Sequence, residues 1–151
     1  MLAVVRKVPP SDLHYLLDTN ILIHAVRRGP TWERIRDTYN PLMSESRPLI
    51  SVVTEGELRS FAEQAKWSEQ KRDHASWLIG YFQRINIDSA EVIDAYALLD
   101  NYSRGVGVRM GKNDLWIAAT AAVYEAALLT MDRDFDHLQD KFLQRVLIGP
   151  S

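Results

Sequence analysis

Short apolar runs of strand length alternate along this 151-residue chain with longer segments whose apolar residues recur at helical spacing. Residues 13–17, 49–53 and 127–130 have the composition of buried strands, and 85–87 and 146–148 are shorter examples. Such alternation favours parallel strands joined by helices that cover both faces of a sheet. The sequence therefore predicts a three-layer α/β/α fold with a central parallel sheet, and its length predicts one domain over residues 1–151.

Capping residues and glycines predict where the helices begin and end. The predicted helix starts are Thr19 or Asn20, Thr31, Thr54, Ser68, Asp88-Ser89 and Asp114. The last of these helices, over 114–126, is apolar nearly all round and is expected to be central. Three glycines in 103–113 predict a loop before it.

The chain has no cysteine, which excludes disulfides, thiolate zinc sites and cysteine nucleophiles. Its four histidines lack the spacing of a metal-binding motif, so any metal must be held by oxygen, which favours Mg²⁺ or Mn²⁺. The N-terminal apolar stretch is too short for a signal peptide, and the longest one, 115–129, is too short to span a membrane. We therefore expect a cytoplasmic protein without a membrane partner.

Four acidic residues stand where apolar runs break off: Asp18, Glu57, Asp114 and Asp132. In an α/β sheet, ligands bind in the crevice beyond the carboxyl ends of the strands. Carboxylates gathered there repel one another unless cations lie between them, so the pattern indicates a divalent metal site. Metal held by carboxylates and water is a means of hydrolysing phosphodiesters.

Each of these positions has an alternative interpretation. The alternative for Asp18 is that it merely caps a helix, and the alternative for the third acid is an N-cap at Asn113 or Asp114. Glu55 competes with Glu57, which is preferred because it directly precedes Leu58, the first residue of an apolar stripe. Asp134 and Asp136 compete with Asp132, which is preferred because it is nearest the strand end; Asp134 could instead pair with Arg133 or cap a short helix.

With these residues the chain resembles the PIN-domain family, particularly the VapC-type toxins of bacterial toxin–antitoxin pairs. The matching segments are 17–22, 51–59, 113–121 and 128–135. The resemblance implies a ribonuclease dependent on Mg²⁺ or Mn²⁺, dimeric and inhibited by a co-expressed antitoxin. It places Asp18, Glu57, Asp114 and Asp132 at the metal-binding and catalytic positions, with Thr19, Asn20 and Thr130 supporting the acidic pocket. The segment 59–113 is longer than the corresponding segment of the family pattern. Three acids, Asp132, Asp134 and Asp136, are candidates for the fourth acidic position of that pattern.

The hypothesis from these residues is that RNA is cut by a water that the metal activates. Six cations lie close in sequence to the strand-end loops and are candidate phosphate contacts: Arg27, Arg28, Arg59, Arg109, Lys112 and Arg133. For any one of them a solvated surface position is the plainer interpretation. The alternative functions are a PIN-like domain that binds RNA or protein without cutting, and a phosphatase with Asp18 as nucleophile. The phosphatase pattern asks for an aspartate where Asn20 stands.

Overall fold

The computed structural model describes residues 13–43 and 47–149. Its strands are β1 (Tyr15–Leu17), β2 (Leu49–Ser51), β3 (Gln83–Ile85), β4 (Ala127–Thr130) and β5 (Gln144–Leu147). Its α-helices are α1 (Thr19–Arg27), α2 (Pro30–Tyr39), α3 (Val52–Gln64), α4 (Glu69–Tyr81), α5 (Ala90–Gly105) and α6 (Lys112–Val123). Short 3₁₀ helices cover Pro41–Met43 and Arg133–Leu138.

The strands form a five-stranded sheet in the order β3-β2-β1-β4-β5, and every neighbouring pair is parallel. The chain moves outward from β1 through β2 to β3 and then returns to place β4 on the other side of β1. The strand order therefore reverses between β1 and β4, and a reversal of this kind opens a crevice at the carboxyl ends of the two strands.

Successive residues of the central strands face opposite layers of helices. Tyr15 and Leu17 of β1 belong to a core shared with α1, α3 and α4, whereas Leu16 belongs to a second core shared with α5 and α6. In β4, Leu129 and Leu128 divide between the two cores in the same way. The sheet is thus buried on both faces, and the predicted three-layer arrangement is confirmed.

The helices α3 and α6 begin earlier than the sequence pattern predicts. β2 ends at Ser51 rather than Val53, because the Ser51 hydroxyl oxygen accepts a hydrogen bond from the Val53 N–H (3.1 Å) and caps α3. Glu57 consequently lies in the second turn of α3, not the first. The last helix, α6, starts at Lys112 with Gly111 as its N-cap, so the predicted start at Asp114 and a capping role for Asn113 or Asp114 are wrong.

The loop before α6 is shorter than predicted. The α5 helix continues to Gly105, and Gly107 (φ 81°) ends it in the left-handed conformation that glycine adopts without steric penalty. There the Val108 N–H donates to the Ser103 carbonyl at 2.8 Å. The loop is therefore 106–111 rather than 103–113.

The remaining differences are small shifts of boundaries. The cap of α1 is Asp18 rather than Thr19 or Asn20, and the cap of α2 is Gly29 followed by Pro30 rather than Thr31. The third and fifth strands begin two residues earlier than predicted. Among the described residues, no helix combines the length and apolar character needed to cross a bilayer.

Candidate metal centre

A cleft of about 720 Å³ opens at the carboxyl ends of β1 and β4, between the beginnings of α1, α3 and α6. It is lined by Asp18, Thr19, Asn20, Ile23, Val53, Gly56, Glu57, Ser60, Phe61, Gln64, Asn113, Asp114 and Asp132. All four acids singled out from the sequence line this cleft, whereas no lysine, arginine or histidine of residues 13–43 and 47–149 is among the lining residues. Segments more than a hundred residues apart in the chain thus meet at one acidic site.

Asp18 lies directly after β1 and is only 5% exposed. Its Oδ1 accepts a hydrogen bond from the Thr19 N–H (2.8 Å), and its Oδ2 accepts one from the Thr130 hydroxyl (2.6 Å). Burial raises the pKa of Asp18, the charges of Glu57 and Asp132 raise it further, and the two hydrogen bonds act in the opposite direction. Asp18 is therefore both the cap of α1 and a carboxylate of the cleft.

Asp114 lies in the first turn of α6 and is the point where the charges of the site converge. Partial burial and then the negative charges of Asp18, Asp132, Glu57 and Asp134 raise its pKa from 3.8 to about 7. Burial disfavours a charged carboxylate, and each neighbouring carboxylate adds repulsion. A cation bound among these groups would offset both the cost of burying the charged carboxylate and the repulsion from its neighbours.

Glu57 reaches the cleft from α3, and two polar side chains hold it. Its Oε1 accepts a hydrogen bond from the Thr19 hydroxyl (2.6 Å), and its Oε2 accepts a longer one from the Asn113 amide (3.4 Å). Glu55 lies outside the cleft, where its carboxylate contacts Arg59 (2.9 Å) and Arg84 (2.6 Å). Partial burial alone would raise the pKa of Glu55, but those two arginines hold it below its ordinary value.

The segment after β4 brings two aspartates to the site, not one. Carboxylate oxygens of Asp114, Asp132 and Asp134 lie within 4.8 Å of one another. Asp132 caps the 3₁₀ helix by accepting a hydrogen bond from the Asp134 N–H (2.8 Å), a role that the sequence interpretation offered to Asp134. Asp136 points elsewhere and contacts Arg145 (3.3 Å) and Arg133 (3.6 Å).

Thr130 and Thr19 connect the acids to the backbone. The Thr130 hydroxyl donates to Asp18 and also accepts a hydrogen bond from the Asp132 N–H (3.0 Å), so it joins the ends of β1 and β4. Thr19 is the matching link between the first turn of α1 and Glu57. Asn20 is exposed and lines the cleft. Such bonds fix the orientation of carboxylates that would bind a metal.

The donor set suits a hard divalent cation. All of the charged groups are carboxylates, which are the ligands of Mg²⁺, Mn²⁺ and Ca²⁺, and neither sulfur nor imidazole is among the lining residues. Four carboxylates in one partly buried cleft are mutually destabilising without positive charge between them. The residues present therefore fit a metal site.

The six candidate phosphate contacts are all exposed and lie outside the residues that line the cleft. Arg27 lies beside the cleft wall, with its guanidinium 5.3 Å from the ring centroid of the cleft residue Phe61. Arg28 contacts His74, Arg59 pairs with Glu55, and Arg133 pairs with Asp136. Arg109 and Lys112 flank the start of α6.

Three polar side chains of the cleft were not predicted as site residues from the sequence: Asn113, Ser60 and Gln64. The signal for Asn113 was its position directly before Asp114. Ser60 and Gln64 follow Glu57 at helical spacing, but nothing in the sequence showed which face of α3 borders the cleft.

Comparison with known proteins agrees with this geometry. The family model of the PIN domain matches residues 15–141, a range that includes all four acids. The chain is 41% identical over 93 residues to Ribonuclease VapC4 of Mycobacterium tuberculosis, which covers 60% of this chain and 71% of that protein. It is 29% identical over 129 residues to Ribonuclease VapC1 of Haemophilus influenzae strain R2866, covering 83% and 92%.

A solved structure has the same fold. The structure of VapBC-1 from nontypeable Haemophilus influenzae superposes with a TM-score of 0.70 at 27% identity, covering 88% of this chain and 96% of that one. Because the family model spans most of the sequence and both the parallel sheet and the acidic cleft lie within it, the chain belongs to the PIN-domain family.

Proposed function

We propose that this chain is a metal-dependent endoribonuclease, the toxin of a type II toxin–antitoxin pair, which hydrolyses RNA phosphodiester bonds. The observation that carries the proposal is the convergence of Asp18, Glu57, Asp114 and Asp132 in one cleft at the reversal of strand order. The two similar proteins from Mycobacterium tuberculosis and Haemophilus influenzae are ribonucleases by name.

The acidic residues would hold Mg²⁺ or Mn²⁺. Asp18, Glu57 and Asp114 are the proposed ligands of one ion, and Asp132, with Asp114, would help hold a second ion or orient the waters of the first. Asp134 joins this group because its carboxylate lies within 4.8 Å of those of Asp114 and Asp132. When bound, such an ion lowers the pKa of a water molecule to make it a nucleophile and stabilises negative charge on the phosphate oxygens.

The chain's own residues position these carboxylates. Thr130 and the Thr19 N–H occupy one lone pair on each oxygen of Asp18, and this fixes the direction of the remaining lone pairs. The Thr19 hydroxyl and the Asn113 amide do the same for Glu57. Groups held in place before the substrate binds need no rearrangement during the reaction, which is how a preorganised site lowers the barrier.

Basic side chains around the cleft would attract the RNA backbone. Arg27, Arg28, Arg59, Arg109, Lys112 and Arg133 are all exposed, and phosphate contacts of this kind position a nucleic acid without reading its sequence. Arg27 has the strongest structural support, because it lies over a residue of the cleft wall. Arg59 and Arg133 are each paired with an acid, so their contribution would require that pair to open.

The same family membership supports proposals about partners and organisation. A cognate antitoxin would bind the toxin, because structures of this fold include members of the VapBC family of toxin–antitoxin systems. We further propose that the chain is a single domain over residues 1–151, that it forms a homodimer, and that it acts in the cytoplasm, where its RNA substrate is found.

Two rival functions make different predictions. A phosphatase would need Asp18 as a free nucleophile, but both of its oxygens accept hydrogen bonds and the residue is almost completely buried. A PIN-like domain that binds RNA without cutting it would have no need for a full set of acids in the cleft. A phospho-enzyme trapped on Asp18 would support the first rival.

The decisive experiment is an RNA cleavage assay on purified protein. We expect cleavage in Mg²⁺ or Mn²⁺, its loss in EDTA, and its recovery when the metal is restored in excess. Asp114→Asn should reduce cleavage to background, whereas the control Asp94→Asn, at an exposed position on α5, should leave it unchanged. RNA binding without cleavage by the metal-loaded protein would contradict the proposal.

A further inference from the structure

One face of α3 lies along the wall of the cleft. Glu57, Ser60 and Gln64 are three and four residues apart, so they share that face, and all three line the cleft. Glu57 belongs to the acidic end. Seven residues of helix rise by about 10 Å, so Gln64 lies close enough to contact a neighbouring nucleotide when a phosphodiester is at the acids.

Ser60 and Gln64 form a pair whose hydrogen-bonding capacity is only partly used. The Gln64 side-chain amide donates to the Ser60 hydroxyl oxygen at 3.1 Å, and both residues are exposed. A carboxamide has two donor hydrogens and an acceptor oxygen, and a hydroxyl has one donor hydrogen. The pair therefore offers donors and an acceptor to the cleft in a fixed arrangement.

Phe61 supplies an aromatic surface beside this pair. Its ring is partly buried against the core, contacts Trp67 edge-on (5.7 Å between centroids), and lines the cleft. The Arg27 guanidinium lies 5.3 Å from the Phe61 centroid. Aromatic rings and guanidinium planes are the surfaces on which unpaired bases stack in RNA-binding proteins.

The character of the cleft changes along its length. The acids lie at one end of the cleft, whereas the lining residues Ile23, Ser60, Phe61 and Gln64 are neutral. A neutral surface with an aromatic wall and a hydrogen-bonding pair suits a nucleobase better than a phosphate, which needs positive charge.

We propose that Ser60, Phe61 and Gln64 form a nucleobase subsite that binds an unpaired base next to the cleaved phosphodiester. Gln64 and Ser60 read the edge of the base, and Phe61 contacts its face. The substrate class that follows is single-stranded RNA with a preferred base beside the cleavage site. This proposal rests on the proposed nuclease function and adds the source of its sequence preference.

The first test is cleavage of short single-stranded RNAs that carry each of the four bases at the positions flanking the cut. We expect the wild type to discriminate between the best and the worst base by about tenfold or more in kcat/KM. Gln64→Ala and Ser60→Ala should reduce that ratio to about threefold or less, chiefly because the preferred RNA is cut more slowly. Gln70→Ala, at an exposed position on α4, is the matched control. A Gln64→Ala variant that retains the wild-type preference, or cuts all four RNAs equally less well, would overturn the subsite.

A second test separates the subsite from the nuclease activity. Binding of the same RNAs is measured by fluorescence anisotropy in EDTA, which removes the metal that the proposed cleavage requires. Loss of base preference in Gln64→Ala supports the subsite even if no RNA is cut, whereas an unchanged preference refutes it. Absence of cleavage by the wild type in Mg²⁺ and Mn²⁺ would refute the proposed function alone.

Discussion

At Asp18, the helix cap that the sequence offers as the alternative to a metal ligand is present, and the same side chain also lines the acidic cleft. One carboxylate oxygen caps α1 through the Thr19 N–H, and the other is bound by Thr130 across the sheet. A carboxylate has about four lone-pair positions, so two hydrogen bonds leave capacity for a cation. A helix-capping aspartate at the end of a buried strand is therefore no evidence against a binding role.

Asp114 gives a prediction about pH. Its pKa in the folded protein is about 7 against 3.8 in the unfolded chain, so the folded state binds more protons between these values. The stability of the metal-free protein should therefore fall as pH rises from about 4 to about 7 and then lose no more from this group. One pKa unit corresponds to about 1.4 kcal/mol, and partial exposure reduces the total that we expect to about 2 kcal/mol.

Denaturant unfolding in EDTA at a series of pH values measures this effect. Asp114→Asn does not titrate, so its stability advantage over the wild type should grow through the same pH range and then stay constant. Asp94→Asn should follow the wild type at every pH. If Asp114→Asn unfolded more easily than the wild type at pH 8, the side chain would have a structural role that repulsion does not explain.

At the scale of single elements, α3 shows why local sequence patterns predict that a helix or strand is present but not the residues at which it begins and ends. The β-branched pair Val52-Val53 favours a strand, yet the capping hydrogen bond of Ser51 starts the helix there. By contrast, β4 has the predicted limits, Ala127–Thr130. Glu57, Ser60 and Gln64 share one face of any helix that contains them, but which face of α3 borders the cleft depends on how the helix packs, so the proposed subsite could not be predicted from the sequence.

The capping of α3 can be tested against that of α4, whose Ser68 hydroxyl accepts a hydrogen bond from the Lys71 N–H (3.2 Å). Ser51→Ala and Ser68→Ala should each lower the free energy of unfolding by about 1 kcal/mol. Since α3 carries Glu57, only Ser51→Ala should also weaken Mn²⁺ binding, by a few-fold. Urea unfolding and calorimetric titration with Mn²⁺ measure the two effects. Equal weakening of Mn²⁺ binding in both variants would show that α3 does not position the metal ligand independently.

For the molecule as a whole, the sequence predicted the layers, the parallel sheet and the gathering of acids at strand ends. It did not predict the strand order, because a strand pattern carries no information about which distant strand lies beside it. That order makes β1 the neighbour of β4, so that Thr130 reaches Asp18 across 112 residues of sequence. The sequence also did not show that Asp134 lies beside Asp114 and Asp132, because that position depends on the turn after β4.

A site assembled from parts of the chain this far apart should couple metal binding to the stability of the entire fold. A ligand that binds only the folded state stabilises it by about 2.7 kcal/mol at a hundred times its dissociation constant. For a protein of 151 residues this corresponds to a rise in Tm of roughly 5–10 °C. We expect calorimetry to show such a rise for the wild type and for Asp94→Asn in saturating Mg²⁺ or Mn²⁺, and a much smaller one for Asp114→Asn. The rise in Tm should be absent when Na⁺ supplies the same concentration of positive charge instead of the divalent ion. This control measures the ionic screening of the acids. A Tm that responds equally to Na⁺ and to divalent ions would mean that the cleft collects counterions without binding a metal, and the nuclease proposal would lose its chemical basis.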